Sequence, residues 1–300
     1  MRQLHVDTDI GGDPDDLAAL ALVAGRPEAE LLAVTTTVDP GGVRAGYARH
    51  CLDLLGLGHV PVAAGAEATS RGDRLDPLPQ LWPADLPAAP SPPGAAVALL
   101  ASSVRRGATV VAIGPLTNLA LMERAEPGLL GAARVVVMGG WLRPPASDLP
   151  AYGPGRDWNL AGDPDAATVV LERAGDLTLV TLADTLRTHL RAAHLPRLRA
   201  AGAVGALLAG QAEQYARLRD HAGLARAHHG LPDDLLHFLH DPLAVATALD
   251  WPGVTVTGTA PRRRAVTAVD GKSFAEWWLS AVELSAERHR TGRQSRRITG

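Results

Sequence analysis

The chain has 300 residues, of which 46% are hydrophobic, and a formal net charge of −3 at pH 7. Such a composition is typical of a globular protein, and so small a net charge creates no global field that would recruit nucleic acid or an anionic membrane. The single cysteine, Cys51, excludes intramolecular disulfide bonds and zinc sites built from several thiolates. The longest apolar runs, such as 17–25, are much shorter than a membrane span, and the chain opens on a strand-like segment without a signal-peptide pattern. We therefore expect a cytoplasmic protein.

Short apolar strands alternate with helical patterns along the chain. In chain order, the predicted elements are a strand at 4–6, a helix at 15–24, a strand at 30–37, a helix at 43–55, and strands at 60–65, 109–113, 135–138 and 177–182. Continuous apolar strands suit a parallel sheet that is covered on both faces, and the helices between them suit right-handed crossovers. We predict an α/β fold with a doubly wound, mainly parallel sheet flanked by helices. Residues 1–287 are expected to form a single domain, and residues 288–300 a basic, flexible tail.

A proline-rich stretch lies between Leu75 and Gly94. Because proline denies it regular structure, we predict a surface loop there. The loop is either a spacer or a flap over the functional site with Trp82 as its apolar tip, and the sequence favours neither interpretation.

A run of acidic residues follows the first strand. Asp7 and Asp9 lie where that strand ends, Asp13 follows two glycines, and Asp15 and Asp16 lie where the first helix begins. In open α/β sheets, ligands bind at the carboxyl ends of the strands. The helix N-terminus contributes only about 0.3–1 kcal/mol per acid, which is too little to offset the repulsion among five carboxylates. A bound cation is therefore expected, and all-oxygen ligation indicates Ca²⁺ or Mg²⁺.

The acidic run also resembles two other kinds of functional motif. An EF-hand-type calcium loop that starts at Asp7 would need a bidentate Glu at its twelfth position, where Ala18 stands. An Asp-x-Asp pattern after a strand is also found in aspartate-nucleophile phosphatases, which generally need a lysine near the phosphate. Lys272, the only lysine, lies in a polar C-terminal context, so the phosphatase remains the alternative enzyme class.

A second acidic motif lies far downstream. His240, Asp241 and Pro242 precede an apolar helix, with the proline at a first-turn position. Asp241 could complete the cation shell, and His240 would then stand beside the site. A zinc site built on His237 and His240 is also possible, but their three-residue spacing is weak evidence for it.

An ordered set of motifs covers nearly the whole chain and resembles the nucleoside hydrolases, the inosine–uridine-preferring family of N-ribohydrolases. The motifs are DTDIGGDPDDLA at 7–18, LAVTTT at 32–37, VPVAAG at 60–65, IGPLTNLA at 113–120, VMGG at 137–140, DWN at 157–159, DPDAA at 163–167 and HDP at 240–242. The resemblance implies an enzyme that hydrolyses the N-glycosidic bond of ribonucleosides to ribose and free base, in nucleoside salvage. It also implies a homodimer or homotetramer. The small net charge, in turn, leads us to expect neither a nucleic acid polymer nor a membrane as partner.

The resemblance also assigns roles to the metal ligands and the proton-transfer groups. It implies Ca²⁺ held by Asp9, Asp16, Asp241 and the backbone carbonyl of Ile113. A metal-bound water would be activated by Asp9 as general base, and His240 would protonate the departing base. Thr117 and Asn118 are given no such role. From their residue types, we expect them to cap the helix that follows.

Further residues are implied to bind the substrate. Asp15 and Asn159 would hydrogen-bond the ribose hydroxyls, and Asp157 would reach towards the 5′-hydroxyl. The chain departs from the family pattern at Asp39, which stands in the loop where the family carries an Asn, so that contact is lost or passes to Asp39. Asp157 replaces the usual Glu, and 141–156 contains no clear counterpart of the Asn that binds the 5′-hydroxyl. We expect a weakened 5′ contact that admits substrates with a modified 5′ end.

Base recognition cannot be derived from the sequence. The segment that often forms the base side in this family contains His221, Arg226, His228 and His229, and Trp141 and Trp158 could stack on a base or pack in the core. A non-catalytic ribonucleoside-binding protein on the same scaffold is the remaining alternative. The presence of the full set of acidic residues, together with Asn159 and His240, argues against it.

Overall fold

The computed structural model describes residues 1–74 and 81–298, except for the side chains of residues 289 and 291–298. The strands are β1 (Arg2–Thr8), β2 (Ala29–Thr36), β3 (Val62–Ala64), β4 (Thr109–Ile113), β5 (Arg134–Met138), β6 (Asp176–Val180), β7 (His189–Arg191), β8 (Leu235–Phe238), β9 (Val254–Ala260) and β10 (Arg263–Val269). The helices are α1 (Asp15–Gly25), α2 (Val43–Leu54), α3 (Ala95–Arg105), α4 (Thr117–Ala125), α5 (Leu129–Ala132), α6 (Trp158–Gly162), α7 (Pro164–Arg173), α8 (Leu182–Thr185), α9 (Leu195–Ala200), α10 (Gly202–Leu218), α11 (His221–Ala227), α12 (His240–Ala248) and α13 (Gly271–Ile298).

The central sheet is mainly parallel. Among the described residues it has eight strands in the order β3-β2-β1-β4-β5-β6-β10-β9, and only the β9–β10 pair is antiparallel. Strands β7 and β8 form a separate antiparallel pair. The predicted α/β fold with a doubly wound, mainly parallel sheet is confirmed, and every strand predicted from the apolar runs is present with bounds that shift by a few residues.

Both faces of the sheet are covered. In β4, Val111 and Ile113 join a core that includes α1, α2, α12 and α13, whereas Val110 and Ala112 join a second core with α3, α4 and α7. Successive residues of a strand point to opposite faces, so the two cores lie on opposite sides of the sheet. This double burial explains why the strands are continuous apolar runs rather than alternating ones.

Helix α1 is enclosed by protein along its length. Ten of its eleven residues are buried, which is the pattern of a helix that is apolar on all sides. Trp278 of α13 is fully buried and donates its indole N–H to the carbonyl of Ala18 at 3.0 Å. A Cβ on Gly25 would lie 1.9 Å from the carbonyl oxygen of Ala281, so the glycine permits the close approach of α13. The acidic start of α1 is therefore fixed in place by the C-terminal helix.

The proline-rich loop is described only from residue 81 onwards, since 75–80 lie outside the described residues. Trp82 is buried rather than exposed: it stacks on Tyr47 with ring centroids 4.5 Å apart, and its indole donates to the carbonyl of Gly11 at 3.2 Å. The tryptophan thus packs against the acidic loop.

At the other end of the chain, the backbone of α13 continues to Ile298, through most of the segment predicted as a tail. No helix of the described ranges is long and apolar enough to cross a membrane.

A fully buried histidine in β1 makes the stability dependent on pH. The ring nitrogens of His5 lie 2.9 Å from the hydroxyls of Ser103 and Thr35, and burial lowers the pKa of His5 to about 3. Between that value and the unfolded pKa of about 6.5, the unfolded chain binds the proton more readily. The stabilising contribution is therefore complete above pH 6.5 and is lost as the pH falls towards 3.

We expect His5→Gln to flatten the pH dependence of the free energy of unfolding between pH 6.5 and 4.5. Relative to the wild type, the loss over that range should be smaller by up to about 1.4 kcal/mol per pH unit. Urea unfolding at a series of pH values measures this difference. His59→Gln, at an exposed position, should retain the wild-type slope. An unchanged slope in His5→Gln would contradict the assignment.

Candidate active site

Acidic side chains from two helix N-termini meet at the carboxyl end of the sheet. Asp15 and Asp16 are the first two residues of α1, and Asp241 is the second residue of α12. Carboxylate oxygens of these three residues lie within 4.8 Å of one another, and the backbone N–H of Asp241 donates to Oδ2 of Asp15 at 3.3 Å. The fold therefore brings Asp241 next to the acidic run that follows β1, although it lies 226 residues from Asp15 in sequence.

Asp9 is held from several sides. Arg44, itself buried, donates to the backbone carbonyls of Asp9 and Ile10, and the indole of Trp158 donates to Oδ2 of Asp9 at 2.9 Å. A Cβ on Gly114 would lie 2.7 Å from the backbone nitrogen of Asp9 and 2.9 Å from its Oδ1. The backbone that follows Ile113 therefore passes directly against Asp9.

Burial and mutual repulsion raise the pKa values of these acids. Burial is the largest cause for Asp9, Asp15, Asp16 and Asp241, and the neighbouring carboxylates add to it; the pKa values of Asp16 and Asp241 are raised well above the usual range. Without a counter-ion, this cluster would have to take up protons. An oxygen-only donor set of this kind fits Ca²⁺ or Mg²⁺, as the sequence predicts.

Asp7 lies close enough to Asp9 to act on it electrostatically, and hydrogen bonds from its neighbours orient it. Its Oδ1 accepts hydrogen bonds from the hydroxyl of Thr35 and, at 2.8 Å, from the amide of Asn118. The same amide nitrogen donates to the carbonyl of Thr36 at 2.8 Å, and burial raises the pKa of Asp7 to about 7. Asp7 and Asn118 thus tie together the ends of β1 and β2.

The expectation that Thr117 and Asn118 cap α4 is wrong. Neither side chain accepts a hydrogen bond from the first turn of that helix, because both are used across the fold. The hydroxyl of Thr117 donates to Asp163 at 2.7 Å, and Oδ1 of Asn118 accepts from the backbone N–H of Ala66 at 3.0 Å.

The predicted substrate contacts beyond Asp15 fall into two groups. Asp157 and Asn159 are both buried beside the end of β5: Asp157 accepts from Gly140 N at 2.5 Å and caps α6, and Asn159 donates to the carbonyl of Met138 at 3.0 Å. Asp39 is almost fully buried, and both of its oxygens accept hydrogen bonds from the start of α2, at 2.8 Å from Arg44 N and 3.0 Å from Ala45 N. Its carboxylate therefore holds the α2 start in place.

A group of histidines lies beside the acids. Nδ1 of His240 lies 2.7 Å from the hydroxyl of Thr185. Burial, together with His237, His221 and His189, lowers the pKa of His240 well below its usual range. His221 is buried and stacks on His237 with centroids 5.8 Å apart. Of the other residues expected near the base, Arg226 and His229 are exposed.

Three contacts do not follow from the sequence. It assigns no role to Arg44 or Tyr215, and it leaves Trp158 between stacking on a base and packing in the core. Trp158 is 48% exposed although its indole contacts Asp9, and Trp141 is 45% exposed. The ring of Tyr215 lies edge-on to that of His237 with centroids 4.9 Å apart. Each contact joins residues far apart in sequence, so no local pattern signals it.

Comparison with known proteins places these features in context. Residues 4–294 match the family model described as inosine-uridine preferring nucleoside hydrolase. A pyrimidine-specific ribonucleoside hydrolase, RihA, from Salmonella typhimurium is 33% identical over 211 residues, which span 66% of this chain and just under two thirds (65%) of that protein. The protein of the same name from an Enterobacter species is 30% identical over 324 residues, covering 95% of this chain and 97% of that protein.

Solved structures share the fold. A purine-preferring ribonucleoside hydrolase from Gardnerella vaginalis superposes with a TM-score of 0.76 at 24% identity, covering 95% of this chain and 99% of the other. A plant nucleoside hydrolase, PpNRh1, gives the same TM-score at 21% identity, covering 94% and 99%.

We expect Ca²⁺ to raise the thermal unfolding midpoint of the chelator-treated protein, because an ion that binds only the folded state at 100 times its Kd stabilises it by about 2.7 kcal/mol. Asp16→Ala and Asp241→Ala should abolish this increase. The exposed-site variant Asp53→Ala should retain it. Circular dichroism during heating, with and without Ca²⁺, measures the midpoint. A Ca²⁺ effect of equal size in Asp16→Ala would rule out the oxygen cluster as the cation site.

Proposed function

The chain belongs to the family of inosine-uridine preferring nucleoside hydrolases, and we propose that it hydrolyses the N-glycosidic bond of ribonucleosides to ribose and the free base. The observation that carries this proposal is the convergence of Asp15, Asp16 and Asp241 at one edge of the sheet. Asp9 lies close enough to act on Asp241 electrostatically, and His240 stands next to Asp241 at the start of α12. A group of carboxylates next to an imidazole suits a reaction that builds positive charge on a sugar and negative charge on its leaving group.

The cation is proposed to be Ca²⁺. Asp9, Asp16, Asp241 and the backbone carbonyl of Ile113 would hold it; their oxygen-only chemistry is that of a hard-cation site. When bound, such an ion supplies positive charge that orients sugar hydroxyls and makes a water molecule more acidic.

Asp9 is proposed as the general base. Its position is supported by the contacts that fix it: Arg44 holds its backbone, and Trp158 holds Oδ2. Calcium acidifies water less than zinc does, so a carboxylate that takes the proton from the attacking water is needed. The buried, hydrogen-bonded setting of Asp9 suits this role because a fixed carboxylate needs little reorganisation during the reaction.

The ribose contacts are proposed for Asp15, Asn159 and Asp157. Asp15 belongs to the cation cluster, and Asn159 and Asp157 are fixed by the end of β5. Carboxylates placed around the ribose would stabilise the oxocarbenium-like charge that develops as the bond to the base breaks. Asp39 is the weakest substrate candidate, because the start of α2 already uses both of its oxygens.

His240 is proposed to protonate the departing base from its imidazolium form, which then becomes neutral imidazole. Burial lowers the pKa of His240, so the imidazolium gives up its proton readily. In that form Nδ1–H can donate to the hydroxyl of Thr185, and Nε2–H is the proton given to the leaving group. The implied homodimer or homotetramer remains a prediction.

The central test is release of ribose from a panel of purine and pyrimidine ribonucleosides, with and without chelator. We expect release that depends on the cation and that falls by about 10²–10⁴-fold in Asp9→Asn, because the base is lost. Asp53→Asn, on an exposed position of α2, serves as the matched carboxylate control. Binding of nucleosides without any ribose release would instead favour the non-catalytic alternative.

The role of His240 can be separated from that of the cation by changing the leaving group. We expect His240→Gln to slow hydrolysis of ordinary nucleosides by about 10²–10⁴-fold. The same variant should hydrolyse a 4-nitrophenyl riboside at nearly the wild-type rate, since nitrophenolate leaves without protonation. Steady-state kinetics on both substrates measure the difference. An equal loss on both would assign His240 to ribose binding or to positioning.

A further inference from the structure

His237 is a buried histidine whose ring has no hydrogen-bond partner among the described residues. It lies in β8, its side chain is 4% exposed, and neither Nδ1 nor Nε2 is paired. Nε2 lies 3.7 Å from Oδ2 of Asp13 and 3.7 Å from Oδ1 of Asp15. A hydrogen bond from nitrogen to oxygen spans about 2.7–3.2 Å, so both separations are too long for one. Leaving a buried polar group unsatisfied costs about 1–3 kcal/mol, which calls for a ligand.

We propose that Asp13, Asp15 and His237 form a second cation site that binds a divalent transition-metal ion, with Zn²⁺ as the best match. One imidazole and two carboxylates are donors that zinc accepts readily, whereas calcium and magnesium prefer oxygen alone. Two donors on a tetrahedral zinc with bonds of about 2.0–2.2 Å are roughly 3.3–3.6 Å apart. The 3.7 Å separations approach that spacing, and the three donor atoms lie within 4.8 Å of one another.

Asp15 lies between this site and the oxygen cluster. Its Oδ1 is the atom near His237, and its Oδ2 accepts from the backbone N–H of Asp241. The two oxygens of this carboxylate therefore face different neighbours. Oδ1 can serve the proposed second site while Oδ2 stays on the side of the oxygen cluster.

Two neighbouring rings, rather than hydrogen bonds to its nitrogens, orient the ring of His237. Tyr215 packs edge-on against it, and His221 stacks parallel to it at an interplanar angle of 11°. His221 is itself anchored, since its Nδ1 lies 2.7 Å from the carbonyl of Leu236. Metal-bound histidines usually donate their second ring nitrogen to an acceptor, and His237 has none in the described chain. We therefore expect a site that exchanges its ion rather than a permanent structural one.

Repulsion at this site also favours a bound ion. The carboxylates of Asp13 and Asp15 repel each other, and Arg219 is close enough to act on Asp13. A cation held by the two carboxylates and His237 would offset this repulsion directly.

The test is calorimetric titration of Zn²⁺ into chelator-treated protein that has been saturated with Ca²⁺. We expect one further equivalent of zinc to bind, and His237→Gln and Asp13→Asn each to weaken it by at least about tenfold. His229→Gln is the matched control, because it changes an exposed histidine that has no role at this site, and it should retain zinc binding. Equal zinc affinity in His237→Gln, or no zinc binding beyond calcium, would overturn the proposal.

A second measurement does not depend on variants. Crystals of the wild-type protein soaked in Zn²⁺ should show an anomalous peak at the zinc edge about 2.0–2.2 Å from Nε2 of His237. A peak only among Asp9, Asp16 and Asp241 would overturn the second site. Ribose release with Ca²⁺ alone, measured on the same preparation, tests the proposed hydrolysis separately, since neither result depends on the other.

Discussion

Repulsion among buried carboxylates is the constraint on which the rest of this structure depends. The fold places Asp9, Asp15, Asp16 and Asp241 where the solvent cannot separate their charges. The N-termini of α1 and α12 both point at the cluster, but each contributes only about 0.3–1 kcal/mol per acid. The surrounding hydrogen bonds orient the acids without cancelling their charge. A bound cation would make so concentrated an acidic site compatible with a stable core.

The elements that form locally could be predicted from the sequence. Strands that are buried on both faces appear in the sequence as continuous apolar runs. Such runs predicted β1, β2, β4, β5 and β6. The acidic cluster was also predictable, since Asp15 and Asp16 begin a helix directly after a strand, and His240 and Asp241 begin another. At an α/β sheet these positions converge on the carboxyl edge.

The supports of the site could not be predicted, because they join distant parts of the chain. Asn118 was read as a local cap, yet its amide reaches Asp7 and Thr36 across the ends of two strands. The sequence of the helix that contains Arg44 gives no sign of a buried role for this residue. Its side chain nevertheless donates to the backbone carbonyl of Asp9. Trp158 similarly reaches Asp9 from a segment 149 residues away. Side-chain length and strand order decide such contacts, and neither is visible in a local pattern.

The packing of α13 on α1 has a consequence for how the protein is made. The indole of Trp278 hydrogen-bonds the carbonyl of Ala18 across 260 residues, and Gly25 fits against Ala281. The ribosome synthesises the acidic segment before the helix that encloses it. Until α13 follows, α1 is an apolar helix without this partner, and it carries acids at its start. The acidic segment therefore gains its packing only after a helix more than 240 residues further along the chain has emerged.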